Sequence, residues 1–462
     1  MTQTKTIANI AAFYTLVGCL GVFLAFHPTL LSQFAKAQAD TGDTRFVNYV
    51  LEHTFQSVFH PDRVGNLWSP RFFFPFENTL ALSENMLGAA PLYWLARAFF
   101  TPDLAYQCWT IACVVLCYVC FAIFLRSFKV SHVLSAFGGF IFAFGLVRIG
   151  RLFHSQLLPQ FFTPLALLFI WKFLRQPTPN RLRLALACIF LQVAAGIYLG
   201  WFLLVSLLIF VPLLLWFDRA SLKNTVEFVQ QHWRSTLTTF AVWFGALLML
   251  LSPYLKMSKL LGARPFAELE VMLPRLTSWI YPFPNTLWYP SLSPLSKNLP
   301  FPHEHHIFMG FTVYVLVGFA LYIAIAKPKV LGERAGFVKA SLATALIIVG
   351  LSLYLAPGVS LWSIIYNTIP GASAIRAVSR IALFVECFLL TAAVLSLDSW
   401  LKRSPIKPRI ATAIVLVIFG ISISENFISI PLAFEKKPIL QTEAEPGELM
   451  RQGCNLAYVN LT

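Results

Sequence analysis

The chain has 462 residues, of which 58% are hydrophobic and only 12% charged, with a mean hydropathy of +0.70. So little charge excludes a water-soluble globular protein of this length and points to a polytopic membrane protein. The net charge of +15 is not a nucleic-acid footprint, because about half of the 35 basic residues fall at Lys5, Arg126–Lys129, Lys172–Arg183, Arg219–Arg234, Lys327–Lys339 and Lys402–Arg409, alternate loops of the kind that face the cytoplasm.

The first apolar segment runs uncharged from Ile7 to Phe34. It exceeds both the ~20 residues of a bilayer crossing and the ~7–15 residues of a signal-peptide core. We read it as an uncleaved anchor at 8–30, entering from the cytoplasmic side. Further spans are expected at 104–125, 131–149, 156–174, 182–197, 199–217, 236–255, 307–326, 338–356, 378–397 and 410–426. Leu184–Phe217 carries no charge; as one helix it would be ~51 Å long at 1.5 Å per residue, against a hydrocarbon core of ~30 Å. Two spans turning at Gly196–Gly200 fit better, and they keep the later basic loops on one side. The expected fold is an all-α polytopic membrane protein of about 11 transmembrane helices.

This pattern sends two long loops to the outer face, 31–103 and 256–306. It divides the chain into a module at 1–255, the second outer loop at 256–306, helices at 307–426 and a short outer tail at 427–462, in which Asn455–Val459 reads as a strand. Phe72–Phe76 and Trp279–Pro284 are aromatic and proline-rich and suit segments lying in the membrane interface. Six of the eight cysteines lie inside spans, where Cys acts as a small hydrophobe.

Candidate chemistry begins just past the first span, at Asp40-Thr41-Gly42-Asp43-Thr44-Arg45. A carboxylate at a span mouth can have water and lipid both within reach, and desolvation there raises its pKa toward that of a general base. A helix is expected over Arg45–Phe55, bringing Asn48 and Glu52 to one face and carrying His53; Asp40 or Asp43 would also serve as its N-cap. A second helix is expected to open at Phe76–Gly88 and to carry Glu84, a costly residue in apolar surroundings unless paired or wet. The turn Arg148–Gln156 places Arg148, Arg151, His154 and Gln156 on the outer side, a natural anion site. Arg376 and Arg380, at i and i+4 on an expected helix, would repel unless an anion bridges them. The types in His303-Glu304-His305-His306 suit zinc, but the spacing does not; we assign no metal ligand, read Glu304 as a polar substrate contact, and leave a divalent metal open as the cofactor. Glu386, inside a span, is expected either to pair with an arginine or to line a cavity. Walker, Rossmann and nucleophile-elbow motifs are absent from the sequence, which speaks against nucleotide-driven chemistry.

An acid after the first span, a long first outer loop, the span pattern to about residue 255 and a second outer loop with an acid before a span resemble the GT-C superfamily of glycosyltransferases. Gly42–His53 and Pro75–Ser83 are also similar to stretches in an uncharacterised bacterial branch of it. The resemblance implies transfer of a sugar from a polyprenyl-phosphate donor to a glycan, lipid or protein acceptor at the periplasmic face of a bacterial inner membrane. It implies Asp43, with Asp40 second, as the catalytic carboxylate, acting as general base or binding the acceptor. Substrate binding would fall on Arg45, Glu52, His53, Glu84, Arg148, Arg151, His154, Gln156, Glu304, Arg376 and Arg380. Membrane lipids are the other expected partner, and nucleic acid is not one. A flippase of lipid-linked sugars and an enzyme of the O-antigen polymerase or ligase type, working from Arg275 and His303–His306, are the alternatives.

Overall fold

The computed structural model describes residues 2–429 and 432–442. The expected strand at Asn455–Val459 lies outside them. The helices that build the bundle are, in chain order, α1 (Thr2–Leu31), α2 (Asp43–Phe59), α3 (Ala90–Arg97), α4 (Pro102–Ser127), α5 (His132–Phe144), α6 (Phe162–Arg175), α7 (Pro179–Ala195), α8 (Ile197–Phe217), α9 (Arg219–Gln231), α10 (Trp233–Leu261), α11 (Phe311–Ala326), α12 (Ala335–Ser352), α13 (Ala382–Arg403) and α14 (Pro408–Glu425). Among the described residues, nine helical segments are long and apolar enough to cross a membrane. The protein is therefore all-α and multi-pass in character. Two expected spans coincide with shorter helices, α7 of 17 residues and α11 of 16.

Local signals explain the boundaries. Ser131 caps α5 by accepting the N–H of Leu134, and Thr178 caps α7 through Arg181 N. Pro102, Pro179 and Pro408 open their helices, where the missing N–H costs nothing. Lys402 and Arg403 close α13 against its negative end. The uncharged run breaks at Gly196, between α7 and α8.

α13 is the axis of the bundle, buried from Ala382 to Ser399. It packs against α12, α11 and α5, while α4 packs on α5 and α6 on α7. α10 is peripheral, touching mainly α7 and the Thr79–Leu82 turn of the first loop. One end of the bundle holds the basic segments; there Asp398 binds Arg334 at 2.8 Å and Lys402 at 2.7 Å. The other end holds the long loops.

At that loop end a small antiparallel sheet joins β1 (Lys36–Gln38) to β2 (Ala433–Glu435), with Ala37 opposite Phe434. It ties the first loop to the segment after α14. The first loop also docks on α7: Gly88 N–H donates to Ala194 O at 2.8 Å. A Cβ on Gly88 would lie 2.4 Å from Leu191 O, so only glycine permits that approach. The second loop and residues 353–381 are stitched together by Tyr354 N to Pro274 O and Ser379 N to Met272 O.

Three local expectations fail. The helix expected at Phe76–Gly88 is a single 3-10 turn, Thr79–Leu82, because Asn78 and Met86 adopt positive φ, which ends helical geometry. The helix expected to carry Arg376 and Arg380 on one face starts only at Ala382, after a short turn at Val378–Ile381. Arg376 is exposed and Arg380 buried, so they do not form a repelling pair. Finally, Asp43 does not cap α2. It is the first helical residue, after Gly42, and makes no capping bond, while Asp40 accepts the N–H of Gly42 at 3.0 Å in the turn before.

Candidate functional site

Two loops and two helix ends meet at Glu304. The Pro302–His305 turn buries this residue to 1% exposure. Arg151, between α5 and α6, donates from Nη1 to Glu304 Oε2 at 2.8 Å and from Nη2 to its backbone oxygen at 2.8 Å. Arg380, just before α13, donates from Nη2 to Oε1 at 2.6 Å and from Nε to Oε2 at 3.2 Å. Burial alone would raise the Glu304 carboxyl, but Arg380 above all, with His154 and Arg151, holds it well below the ordinary carboxylate range.

His154 carries this cluster outward. Its Nε2 lies 3.1 Å from Glu304 Oε1 and its Nδ1 lies 2.7 Å from Asp43 Oδ2. With a carboxylate oxygen at each nitrogen, both bonds form only when the ring carries two protons. Gln156 Nε2 donates to the same Asp43 oxygen at 3.1 Å. Asp43 is the accessible terminus of the row, its side chain 39% exposed. Burial pushes its carboxyl up, but the bonds from His154 and Gln156 outweigh burial and hold it below the ordinary value. The expectation of a raised pKa is thus corrected: hydrogen bonds to the charged form win over partial desolvation.

The second ring of residues positions the first. Tyr198, in the first turn of α8, lies beneath Arg380, whose guanidinium carbon is 5.2 Å from the ring centre. Its hydroxyl accepts the N–H of Arg376 at 3.0 Å. Glu84, 7% exposed, accepts the N–H groups of Ile197 and Tyr198, the latter at 3.0 Å, and so caps α8 from a distant loop. Burial drives the Glu84 carboxyl up to about 7, against those two bonds and Arg380. Tyr106 donates to Ser155 at 2.7 Å, bracing the turn that presents His154.

Six expected site residues therefore converge: Asp43, Arg151, His154, Gln156, Glu304 and Arg380. The others do different work. Glu52 is bound by Arg97 at 2.9 Å and by Tyr93 at 2.7 Å; Tyr93 also reaches Asn48 at 3.4 Å, so those two do share a face. His53 is held at Leu67 O, 3.0 Å away. Arg45 Nε donates to Thr41 O at 2.7 Å. Asp40 is exposed and makes its bond within its own turn. Arg148 turns inward, fully buried, to Leu157 O, Gln160 and the Phe142 ring; it belongs to the helix packing, not to the open cluster. Glu386 is fully buried, and neither of its oxygens has a hydrogen-bond partner among the described residues. Arg275 spends its Nη1 on the carbonyls of its own loop.

Sequence reasoning missed Tyr198. The available signal was the Gly-Ile-Tyr-Leu-Gly break itself, which puts an aromatic hydroxyl at the loop end of a span.

Among the described residues, a metal has one candidate place. Ligand atoms of His154, His303 and Glu304 all lie within 4.8 Å of one another. Both Glu304 oxygens already face guanidinium groups, however, whose charge opposes a cation. His305 meets Ser278 at 2.8 Å and His306 packs on Tyr281 and Phe283. Burial takes these two rings down to about 4 and about 3, so they stay neutral parts of the loop core.

No family model, curated protein or solved structure matches the chain.

Proposed function

We propose that the protein is an integral-membrane glycosyltransferase of the GT-C type. It would move a sugar from a polyprenyl-phosphate donor to an acceptor hydroxyl at the loop end of the bundle. The observation that carries this reading is the row Asp43–His154–Glu304–Arg380, in which a half-exposed carboxylate at a membrane mouth is linked to buried arginines. One end suits a base and the other a phosphate.

In this reading the acceptor hydroxyl gives its proton to Asp43. Its oxygen forms the bond to the anomeric carbon as the carbon–oxygen bond to phosphate breaks. The electron pair leaves with the lipid phosphate, whose growing negative charge falls to Arg380. Arg380 makes no hydrogen bond through Nη1 among the described residues, and its side chain keeps 10% exposure. The depressed carboxyl of Asp43 keeps it ionised at neutral pH, ready to accept the proton. His154 holds it in place. The loop end would face the periplasm, as the basic segments at the opposite end require. The resemblance adds a bacterial inner membrane.

The test uses protein in nanodiscs with a panel of radiolabelled polyprenyl-phosphate sugars, following lipid-phosphate release by the wild type and by Asp43→Asn. Release by the wild type alone supports the assignment and names the donor. A fully active Asp43→Asn variant ends it.

One observation favours a second reading. Glu304, the hub of the cluster, comes from the second loop, as an enzyme of the O-antigen polymerase or ligase type would require. In that case Asp43→Asn would remain active while Glu304→Gln would not.

A further inference from the structure

A cavity lies beside this site and plays no part in the chemistry above. It encloses about 620 Å³ between α2, the start of α4, β1 and the segment that follows β2. That is room for a drug-sized guest or a stretch of lipid. Gly42 and Thr44, the two neighbours of Asp43, both line it, whereas His154, Glu304 and Arg380 do not. The cavity thus reaches the residues on either side of Asp43 in the chain, while the arginine cluster is outside its lining.

The charges on the cavity wall are already spent. Asp103 binds Lys436 at 2.6 Å, and Lys436 also reaches Gln107 at 2.9 Å. Glu52 is filled by Arg97, Tyr93 and Gln56. Arg45 directs Nε to Thr41 O. A guest meets mainly Phe46, Tyr49, Tyr106, Phe434, Ile439 and Leu440, an apolar lining with few polar points, which selects hydrocarbon over glycan. Arg380, to which the donor phosphate is assigned above, is absent from the cavity lining.

We propose that this cavity binds the hydrocarbon part of an amphiphilic alcohol and that the acceptor is therefore a lipid. The identification of that alcohol as acceptor rests on the glycosyl-transfer reading; its binding does not. Gly42 has no side chain to obstruct a hydroxyl passing from the cavity toward Asp43.

The experiment is photolabelling of the full chain in nanodiscs with a diazirine-bearing hexadecanol, mapped by peptide mass spectrometry. Labelling enriched at Tyr49, Phe434 and Leu440 over the lipid-facing surface of α10 supports the proposal. It should fall at least five-fold in Leu440→Arg and Tyr49→Arg, two positions 47% and 41% exposed and so tolerant of a charge. It should persist in Asp43→Asn. Unlabelled hexadecanol should compete, and polyprenyl phosphate should not. Uniform labelling of all apolar surfaces overturns the proposal, as does competition by polyprenyl phosphate, which would assign the cavity to the donor. Labelling that appears only after deletion of residues 443–462 assigns the cavity to the chain's own end and also overturns it. Sugar transfer to a water-soluble glycan with no cavity labelling would refute the lipid acceptor while leaving the transferase intact. Cavity labelling in a protein that releases no lipid phosphate would do the reverse.

Discussion

The two ends of the bundle each bury one carboxylate between two cations. At the loop end Glu304, 1% exposed, holds Arg151 and Arg380. At the basic end Asp398, 2% exposed, holds Arg334 and Lys402. The resemblance stops there. Asp398 also accepts the N–H of Ser131 at 2.9 Å, and Arg334 spends its remaining donors on Ser399 and Phe128 O. Those bonds run to helix ends and tie the bundle together, and the exposed member of the cluster is the Lys402 ammonium, 48% exposed. Glu304 has a third partner in His154, which leads to a carboxylate that solvent reaches. What separates a lock from a site is the chemistry of the accessible group: a carboxylate can take a proton from a substrate hydroxyl, and an ammonium cannot.

The largest expected effect comes from breaking either hub. Glu304→Gln strands two buried cations, at a cost of about 3–5 kcal/mol, and Asp398→Asn strands Arg334 while Lys402, 48% exposed, stays hydrated, so its cost is the smaller of the two. Thermal unfolding in detergent should show both variants well below the wild type. The comparison sharpens in the surviving folded fraction. Asp398→Asn should retain lipid-phosphate release per folded molecule, and Glu304→Gln should lose it. Equal activity in the two would erase the distinction drawn here.

A somewhat smaller effect belongs to Glu84, which accepts the first N–H groups of α8 as Glu425 accepts those at the start of α11. Burial raises the Glu84 carboxyl from the ordinary glutamate value of 4.5 to about 7. The folded protein therefore keeps a proton that the unfolded chain releases. That contribution is full below pH 4.5 and is lost as the pH rises through about 7. It amounts to no more than about 3 kcal/mol at 1.36 kcal/mol per unit. Between pH 4.5 and 7 the wild type should lose stability relative to Glu84→Gln, which cannot titrate. Parallel curves for the two proteins would show that Glu84 is not buried against α8 as described.

Much of this was legible in the sequence, and the reasons differ by region. A helix occupies each expected span because long apolar runs have no other way to satisfy their backbone in lipid. The break at Gly196 followed from the length of the uncharged run, its glycines and the side on which the later basic loops must fall. Asp43, Arg151, His154, Gln156, Glu304 and Arg380 could be nominated one by one, because charge on the outer side of a span is costly without a purpose. Their convergence could not, since it depends on three loops meeting over α13, and loop paths carry no periodic signal. The same gap misassigned Arg148. Only three residues separate it from Arg151, yet one faces Gln160 inside the bundle and the other faces Glu304. The helix expected around Glu84 fails for a local reason: Asn78 and Met86 take left-handed conformations.

A smaller change in stability, with a diagnostic readout, is expected from His154→Ala. It removes one bond to Glu304 and one to Asp43, worth roughly 1–3 kcal/mol together. The Asp43 carboxyl, now depressed chiefly by His154 and Gln156 against burial, should rise toward its ordinary value or beyond. A base with a depressed pKa stays ionised down to low pH, so the acid limb of the transfer rate should move to higher pH in the variant. An unmoved acid limb would mean that the group seen in the rate is not Asp43.

The smallest effect on stability, and the most decisive one on function, should come from Asp43→Asn. Its side chain is 39% exposed, and its bonds to His154 and Gln156 lie at the rim of the cluster. Removing an ion pair at such a position costs about 1 kcal/mol or less, and the amide oxygen can still accept from one of the two partners. Glu304 and its arginines keep all their bonds to each other, so the loops should stay docked. Asp40→Asn is the matched control, since Asp40 is exposed and bonds only within its turn. Both variants should unfold within a few degrees of the wild type. Only Asp43→Asn should stop transfer, because only Asp43 is joined through His154 to the buried hub. If Asp40→Asn proved the inactive one, the open end of the row would not be where the chemistry happens, and the contrast between the two ends of the bundle would lose its functional meaning.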